Sequence, residues 1–367
     1  MKFSCYKNDL TEALQFAIRA VAVKPMTPIL AGIYLRADGS MLEIQANNFS
    51  TGIITRIPVN TESPGEVVVS GKRFQEFVRN MPDDTITFSD NDNMLVIESG
   101  GASVELLTMQ ASDFPKVKTP DTDHSFKIRT TVLRNLIKRT AFAAAKNDAR
   151  PIFTGCCFEV KGDTISLVAT NGHRLALAKE QLPDTYEDCS FVVPADALRG
   201  VMLRIDPNDV ENYVTISYSV RYLTFTFDNV FVNSRLIEGD YPTYDRVIPS
   251  SSTTNVKVDT AEFRRAVDFV ALMSKENEYN TVKFSFSDGG IEVTSNSPEV
   301  GGAGQSVEAE IDGDDLEISF NVTYIADVLK VVEAKQLDIA LNDKFSPAAF
   351  TEPDNDNYIY VATPVRA

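Results

Sequence analysis

Apolar and polar residues alternate along this chain of 367 residues in short runs, separated by longer stretches in which the apolar positions recur at helical intervals. YLRADGSMLEIQAN at 34–47 reads as two strands around a tight turn at Asp38-Gly39, since period-two alternation turns one strand face to a core and glycine supplies a positive φ. The same grammar returns in FEVKGDTISLVATN at 158–171, around Gly162-Asp163, and in FSFSDGGIEVTSN at 284–296, around Asp288-Gly289. The three segments end at Asn47, Asn171 and Asn296, a spacing of roughly 125 residues that matches the size of one domain.

Helical periodicity keeps the same spacing. Before each hairpin lies an amphipathic stretch: Leu10, Leu14, Ile18 and Val21; Leu133, Leu136, Ile137 and Ala141; Phe263, Val267, Val270 and Met273. A shorter one follows each hairpin: GKRFQEFVRN from Gly71, PADALRGVML from Pro194 and NVTYIADVLKVV from Asn321. Ser70 and Asn321 stand where N-caps belong, and Pro194 near the first helical position. Further alternating runs come after each second helix, so each repeat predicts two helices and about eight strands, an α+β design. Polar stretches at 119–125 and 249–255 place the boundaries, predicting domains at 1–121, 122–250 and 251–367.

Candidate chemistry is sparse. The sequence has two histidines, His124 and His173, no tryptophan, and no phosphate-loop, zincin or dinucleotide motif. The acidic segments DNDN at 90–93 and DGDD at 312–315 lack the register of a calcium loop and read as hairpin turns. Cys5, Cys156, Cys157 and Cys189 show no C-x-x-C spacing and are expected as buried, reduced thiols. His173 sits in ATNGHRLAL without a nearby nucleophile; with Arg174, Leu175 and Leu177 it suits the rim of a binding groove. MKFSCYKNDL has neither an apolar signal core nor a cleavage site, which predicts a cytoplasmic protein with no membrane partner. No cofactor is expected.

Charge first argues against nucleic acid: 35 Lys and Arg oppose 52 Asp and Glu, a net charge of -17. Its distribution changes the picture. The three repeats carry -4, -1 and -12, and many basic residues fall on or beside the predicted helices. Six such helices lining one concave surface would give a basic inside and an acidic outside, which net charge conceals.

Several stretches then carry a resemblance. MKFSCYKNDL, KPMTPIL, LLTMQASDFP, ATNGHRLALA, RLIEGDYPTYDRVIP, FNVTYIADVL and YVATPVRA occur in the order found in bacterial DNA polymerase III beta subunits, and the chain resembles that family over essentially its whole length. The resemblance implies three tandem clamp domains, a head-to-tail homodimer forming a six-domain ring, and a noncatalytic processivity factor. Such a ring encircles double-stranded DNA without reading its sequence. The implied partners are the replicative polymerase's catalytic subunit, the clamp loader, and other proteins with clamp-binding motifs: repair polymerases, mismatch repair proteins and ligase. A nucleoid-associated place in the cytoplasm follows.

By the same resemblance a partner-peptide pocket is implied at Phe153, Thr170, Gly172, His173, Arg174, Leu175, Pro242, Arg246, Val247, Tyr279, Asn321, Tyr324 and Phe345, with Val361, Ala362, Thr363, Pro364, Val365 and Arg366. Thr363, Val365 and Pro347 depart from familiar members and should change the pocket's preferred anchors. DNA-facing positions are expected at Lys24, Arg73, Arg79, Arg134, Lys138, Asn147, Arg199 and Arg204, while Pro151, Ile152, Ala195 and Asp196 depart from the family there. The subunit interface would join Val104 and Leu106 to Leu272 and Met273 of a neighbour. Two other readings compete: an enzyme using His173, Arg174 and Arg246 on an anionic substrate, and a tandem-repeat scaffold that touches no nucleic acid.

Overall fold

A computed structural model describes residues 1–122, 124–274, 280–297 and 300–365. It contains three tandem copies of one α+β design. The amphipathic stretches form α1 (Lys7–Ala17), α2 (Gly71–Asn80), α3 (Thr130–Thr140), α4 (Ala195–Arg204), α5 (Thr260–Ser274) and α6 (Val322–Leu329). Each helix starts where a strand ends. Asn321 caps α6 by accepting the Thr323 N–H at 2.9 Å, whereas Ser70 occupies the corresponding place before α2 without a side-chain bond. Pro194 closes the preceding strand and α4 begins one residue later than the sequence suggested.

The expected hairpins explain the strand order. Gly32–Asp38 pairs with Met41–Asn47, and Thr281–Ser287 with Gly290–Ser297, each across a two-residue turn. In the middle repeat the corresponding residues lie in two long extended runs, Gly155–Thr170 and Arg174–Pro194, whose pairing shifts on either side of Gly162. Gly162 takes φ 61°, close to the 57° of Gly39, and its flanks divide their partners as those of Gly39 do. The acidic turn after Asn91 is likewise a two-residue connection, with Asp92 and Asn93 at positive φ.

By contact the chain divides into two compact units that cut through the middle repeat: Met1–Leu133 with Asp196–Leu236, and Arg134–Ala195 with Ile237–Ala367. One pairing rule explains the cut. In the first unit, Val230–Arg235, the last strand of the second repeat, lies antiparallel on Thr51–Pro58 of the first, from Val230↔Thr55 to Ser234↔Thr51. In the second unit, Asn355–Ala362, the last strand of the third repeat, lies the same way on the segment from Arg174, running from Arg174↔Ala362 to Ala178↔Tyr358. We call these junctions the first and second seams. Two edges that this rule would pair stay open among the described residues: Gly301–Val307, and the outer side of Ala102–Met109 before its last two residues.

The cores are apolar and aromatic. In the first repeat Leu10, Leu14, Phe74 and Val78 are fully buried, and Phe3 stacks on Phe88 with ring centres 4.6 Å apart. In the third, Phe263, Phe284, Phe320, Phe350 and Tyr360 form a continuous chain of ring contacts, each 5.9–6.4 Å from the next. Cys5, Cys156 and Cys157 are buried, as expected; Cys189 is half-exposed, and all four are free thiols. Among the described residues no helix is long and apolar enough to cross a membrane, and no cluster of three His, Cys, Asp or Glu side chains could hold a metal.

Candidate functional site

The second seam is built around a turn whose backbone the sequence specifies. Asn171 Oδ1 accepts the N–H groups of His173 and Arg174 at 2.9 and 3.0 Å, and Gly172 takes φ 86°. Thr170 Oγ1 donates to the Arg174 carbonyl at 2.6 Å and accepts from Gly172 N at 3.1 Å. This doubly pinned turn leaves His173 exposed and sends Arg174 and Leu175 inward. Thr363 then fastens the end of the neighbouring strand: its N–H and its hydroxyl both donate to the His173 carbonyl at 2.9 Å.

Between these pieces lies a cavity of about 170 Å³ lined by Phe153, Thr170, Gly172, His173, Arg174, Leu175, Pro242, Thr243, Tyr244, Val247, Val361 and Thr363. Leu175 and Val361 form its apolar floor, backed by buried Cys157, Val168, Leu177 and Val192. Burial pushes the Cys157 thiol up to about 11, so it stays neutral and contributes packing. Tyr244 is held by a bond from its hydroxyl to Glu159 at 2.9 Å, and burial raises its phenol above the ordinary value. Tyr241 reaches the Val168 carbonyl at 3.4 Å.

Arg174 is the polar centre of the wall. With 9% of its surface exposed, it pairs with Asp327 of α6 at 2.8 Å, donates to the Phe142 carbonyl, and lies 4.6 Å from the Tyr324 ring centre and 5.5 Å from that of Phe142. Tyr324 is fixed in turn, because its carbonyl accepts from the Tyr360 hydroxyl at 2.9 Å and its hydroxyl accepts from Asn171 at 3.3 Å. A charge this deep is tolerable because it is paired and hydrogen-bonded.

Most of the expected pocket set therefore converges. Outside the cavity lining, Tyr324 braces Arg174, Asn321 caps α6, and Ala362 is buried opposite Arg174 in the strand pair. Arg246 is exposed beside Val247, and Phe345 is exposed after the Asp343 turn. Pro364 and Val365 are half-buried, and Val365 N–H donates to Ser319 O at 2.8 Å. Tyr279 and Arg366 lie outside the described residues. Sequence reasoning missed Thr243 and Tyr244, which the Y-P-T-Y spacing after Asp240 places on the rim. It also missed Asp327 and Phe142, whose distance in sequence from Arg174 hides their role.

The expected DNA-facing positions fall into three groups. Lys24, Arg73, Arg79 and Asn147 are exposed, and the three cations carry no ion pair among the described residues. Lys138, Arg199 and Arg204 are engaged with Glu333 at 2.5 Å, Asp196 at 2.7 Å and Glu12 at 3.1 Å. Arg134 is half-buried with an unpartnered Nε. On the open-edged strand Ala102–Met109, Val104 is half-buried and Leu106 buried, with Leu107 exposed on the opposite strand face. Beside the other edge, exposed Leu272 and half-buried Met273 line a hollow with Phe269, Val300 and Ala303.

Family models settle the relationship. The N-terminal, central and C-terminal domains of the DNA polymerase III beta subunit match residues 1–118, 127–243 and 245–366. The chain belongs to the DNA polymerase III beta subunit family. It is 32% identical to the beta sliding clamp of Bacillus subtilis and 30% identical to that of Pseudomonas aeruginosa, with all of each chain covered. Among solved structures, the DNA polymerase III beta subunit of Thermotoga maritima matches with a TM-score of 0.91 at 29% identity, covering 100% of this chain and 99% of that one. A Pseudomonas aeruginosa sliding clamp bound to griselimycin matches at 0.90 and 29%, with both chains fully covered. As a member of this family the protein is a sliding clamp in DNA replication, a processivity factor and not a catalyst.

Proposed function

We propose that two copies of this chain close head to tail into a six-domain ring around duplex DNA, with domains at 1–121, 122–250 and 251–367, and that the second-seam cavity holds peptides of the proteins it tethers. The observation that supports the ring is the strand-pairing rule. Two seams obey it inside the chain, and the two open edges are the pair that a third seam needs from a second copy. Val104, Leu106, Leu272 and Met273 lie on or beside those edges, and apolar contacts suit a stable interface. A ring holds DNA by topology, so a few exposed cations such as Lys24, Arg73 and Arg79 suffice, while the net charge of -17 disfavours binding elsewhere. The polymerase catalytic subunit, the clamp loader and repair proteins would share the cavity by inserting apolar anchors between Leu175, Val361 and Val247. The cytoplasm, at the nucleoid, is the place of action.

Retention after loading should be high on circular DNA and should vanish when the circle is cut. Equal retention on both forms overturns the topological reading. Truncation after Ala362 removes the Thr363 and Val365 tethers and should abolish binding of a polymerase-derived peptide while the solution mass stays that of a dimer. Unchanged peptide affinity overturns the pocket.

A further inference from the structure

Each repeat opens its first helix in the same way. The N–H of the opening residue donates to a carbonyl late in its own repeat: Lys7 to Asp84 at 2.8 Å, Thr130 to Asn212 at 3.0 Å, and Thr260 to Lys335 at 2.9 Å. That shared anchor brings the fifth residues of the three helices into register, and they are Thr11, Arg134 and Arg264. Each has a polar side-chain atom shielded from water without a hydrogen-bond partner: Thr11 Oγ1, Arg134 Nε and Arg264 Nε. An unsatisfied buried N–H costs stability, and an apolar side chain of similar length would fill the place without that cost. Packing alone is therefore a poor reason for an arginine at this position in two repeats.

Ion pairing singles out the same two residues. In the middle repeat α3 and α4 carry five basic residues, of which Lys138, Arg139, Arg199 and Arg204 are paired with Glu333, Glu352, Asp196 and Glu12. In the third repeat α5 carries two and α6 none, and Arg265 is paired with Glu262 at 3.2 Å. One basic residue is left over on the helices of each repeat, Arg134 and Arg264, and neither makes an ion pair or hydrogen bond among the described residues. Even Asp268, one turn beyond Arg264, forms no ion pair with it.

We infer that Arg134 and Arg264 are equivalent contacts to the phosphates of duplex DNA, one from the middle repeat and one from the third. The assignment rests on the reading of the chain as a ring around DNA. A half-buried stem limits the rotamers of each guanidinium, and partial removal from water strengthens its attraction for an anion. The planar fork suits phosphate oxygens, and contacts to phosphate carry no base information, which is what a sliding ring requires. A carboxylate of a second copy is the rival anion. Both seams of the middle repeat close within the chain, however, so Arg134 has no subunit boundary beside it, and the anion common to both positions is DNA.

The probe is a fluorescently labelled duplex of mixed sequence, titrated with the full chain by anisotropy over a series of salt concentrations. Arg134→Gln and Arg264→Gln should each reduce the slope of log K against log salt by about 1, and the double variant by about 2. Arg265→Gln removes the same charge from the neighbouring, paired residue and should leave the slope unchanged. Arg264→Lys, which keeps the charge, should retain the slope of the unchanged chain. The solution mass of Arg264→Gln should also match that of the unchanged chain, which separates a DNA contact from a subunit contact. Unaltered slopes in both glutamine variants, an equal effect of Arg265→Gln, a lower mass for Arg264→Gln, or no saturable binding by the unchanged chain overturns the assignment. The ring reading fails separately, by equal retention on circular and cut DNA, a result that does not depend on either arginine.

Discussion

The two seams share a backbone plan and differ in what their side chains do with it. At the second, tyrosine hydroxyls pin the connector and the floor is the pair Leu175 and Val361. At the first, amides pin the connector, and the position of Leu175 is held by Gly52, where an added Cβ would meet Val117 Cγ1 at 2.8 Å. Val117 fills from the connector the space that a strand side chain would otherwise occupy. The second seam is also crossed by three ion pairs, Lys138–Glu333, Arg139–Glu352 and Arg174–Asp327, two of them with deeply buried arginines. The comparison teaches that the pairing rule sets where a groove lies, while a few residues decide whether it is an apolar socket or a charged trough.

The largest effect should come from the most buried pair. Arg139 bonds Glu352 at 2.8 Å, with side chains 12% and 5% exposed, so Arg139→Met should cost about 3–5 kcal/mol locally by stranding a carboxylate. Hydrogen exchange across Ala348–Glu352 should register it, and unchanged protection would show the pair to be dispensable. Burial works against the Glu352 charge, but bonds from Arg139 and Asn355 outweigh it and hold the carboxyl below its ordinary value. Its contribution is therefore complete above the ordinary carboxylate range and fades as pH falls through it. Protection of the second seam should fall with acidification, and Glu352→Gln should flatten that dependence.

A swap of floors tests the packing difference. Gly52→Leu should destabilise the first seam by about 1–3 kcal/mol through overpacking against Val117, and Val117→Ala in the same chain should recover most of the loss. Additive losses in a double-mutant cycle would sink the explanation. The smallest effect belongs to Glu66, which bonds the Tyr34 hydroxyl and half-exposed Lys116; Glu66→Gln should change stability by less than about 1 kcal/mol, read from the same exchange experiment.

Regular elements were legible because each carries a local signal. The bounds of α2 coincide with GKRFQEFVRN, since Gly71, Phe74 and Val78 mark its buried stripe and Met81 leaves the helix. The turn at Asn171-Gly172 was equally readable from its residue types. Pocket residues beyond that turn came from resemblance to a family, not from spacing. Asp327 and Phe142 escaped because they meet Arg174 from other elements, 153 and 32 residues away in the chain, and no local pattern marks such a partner. Charge was misleading in another way: Lys138, Arg199 and Arg204 look like a basic face in sequence, but carboxylates on neighbouring turns and elements engage them.

The sequence by itself determined the threefold repeat, the helices and hairpins within it, and a net charge of -17 weighted toward the third repeat. Those properties depend on side-chain periodicity and turn residues that act over a few positions. Tertiary structure decided that strands cross from repeat to repeat, that the compact units cut through the middle copy, and that one seam is an apolar socket while the other is a charged groove. The reason is physical: a strand edge, a buried charge and a cavity floor each take their partners from distant chain, and only folding brings those partners together.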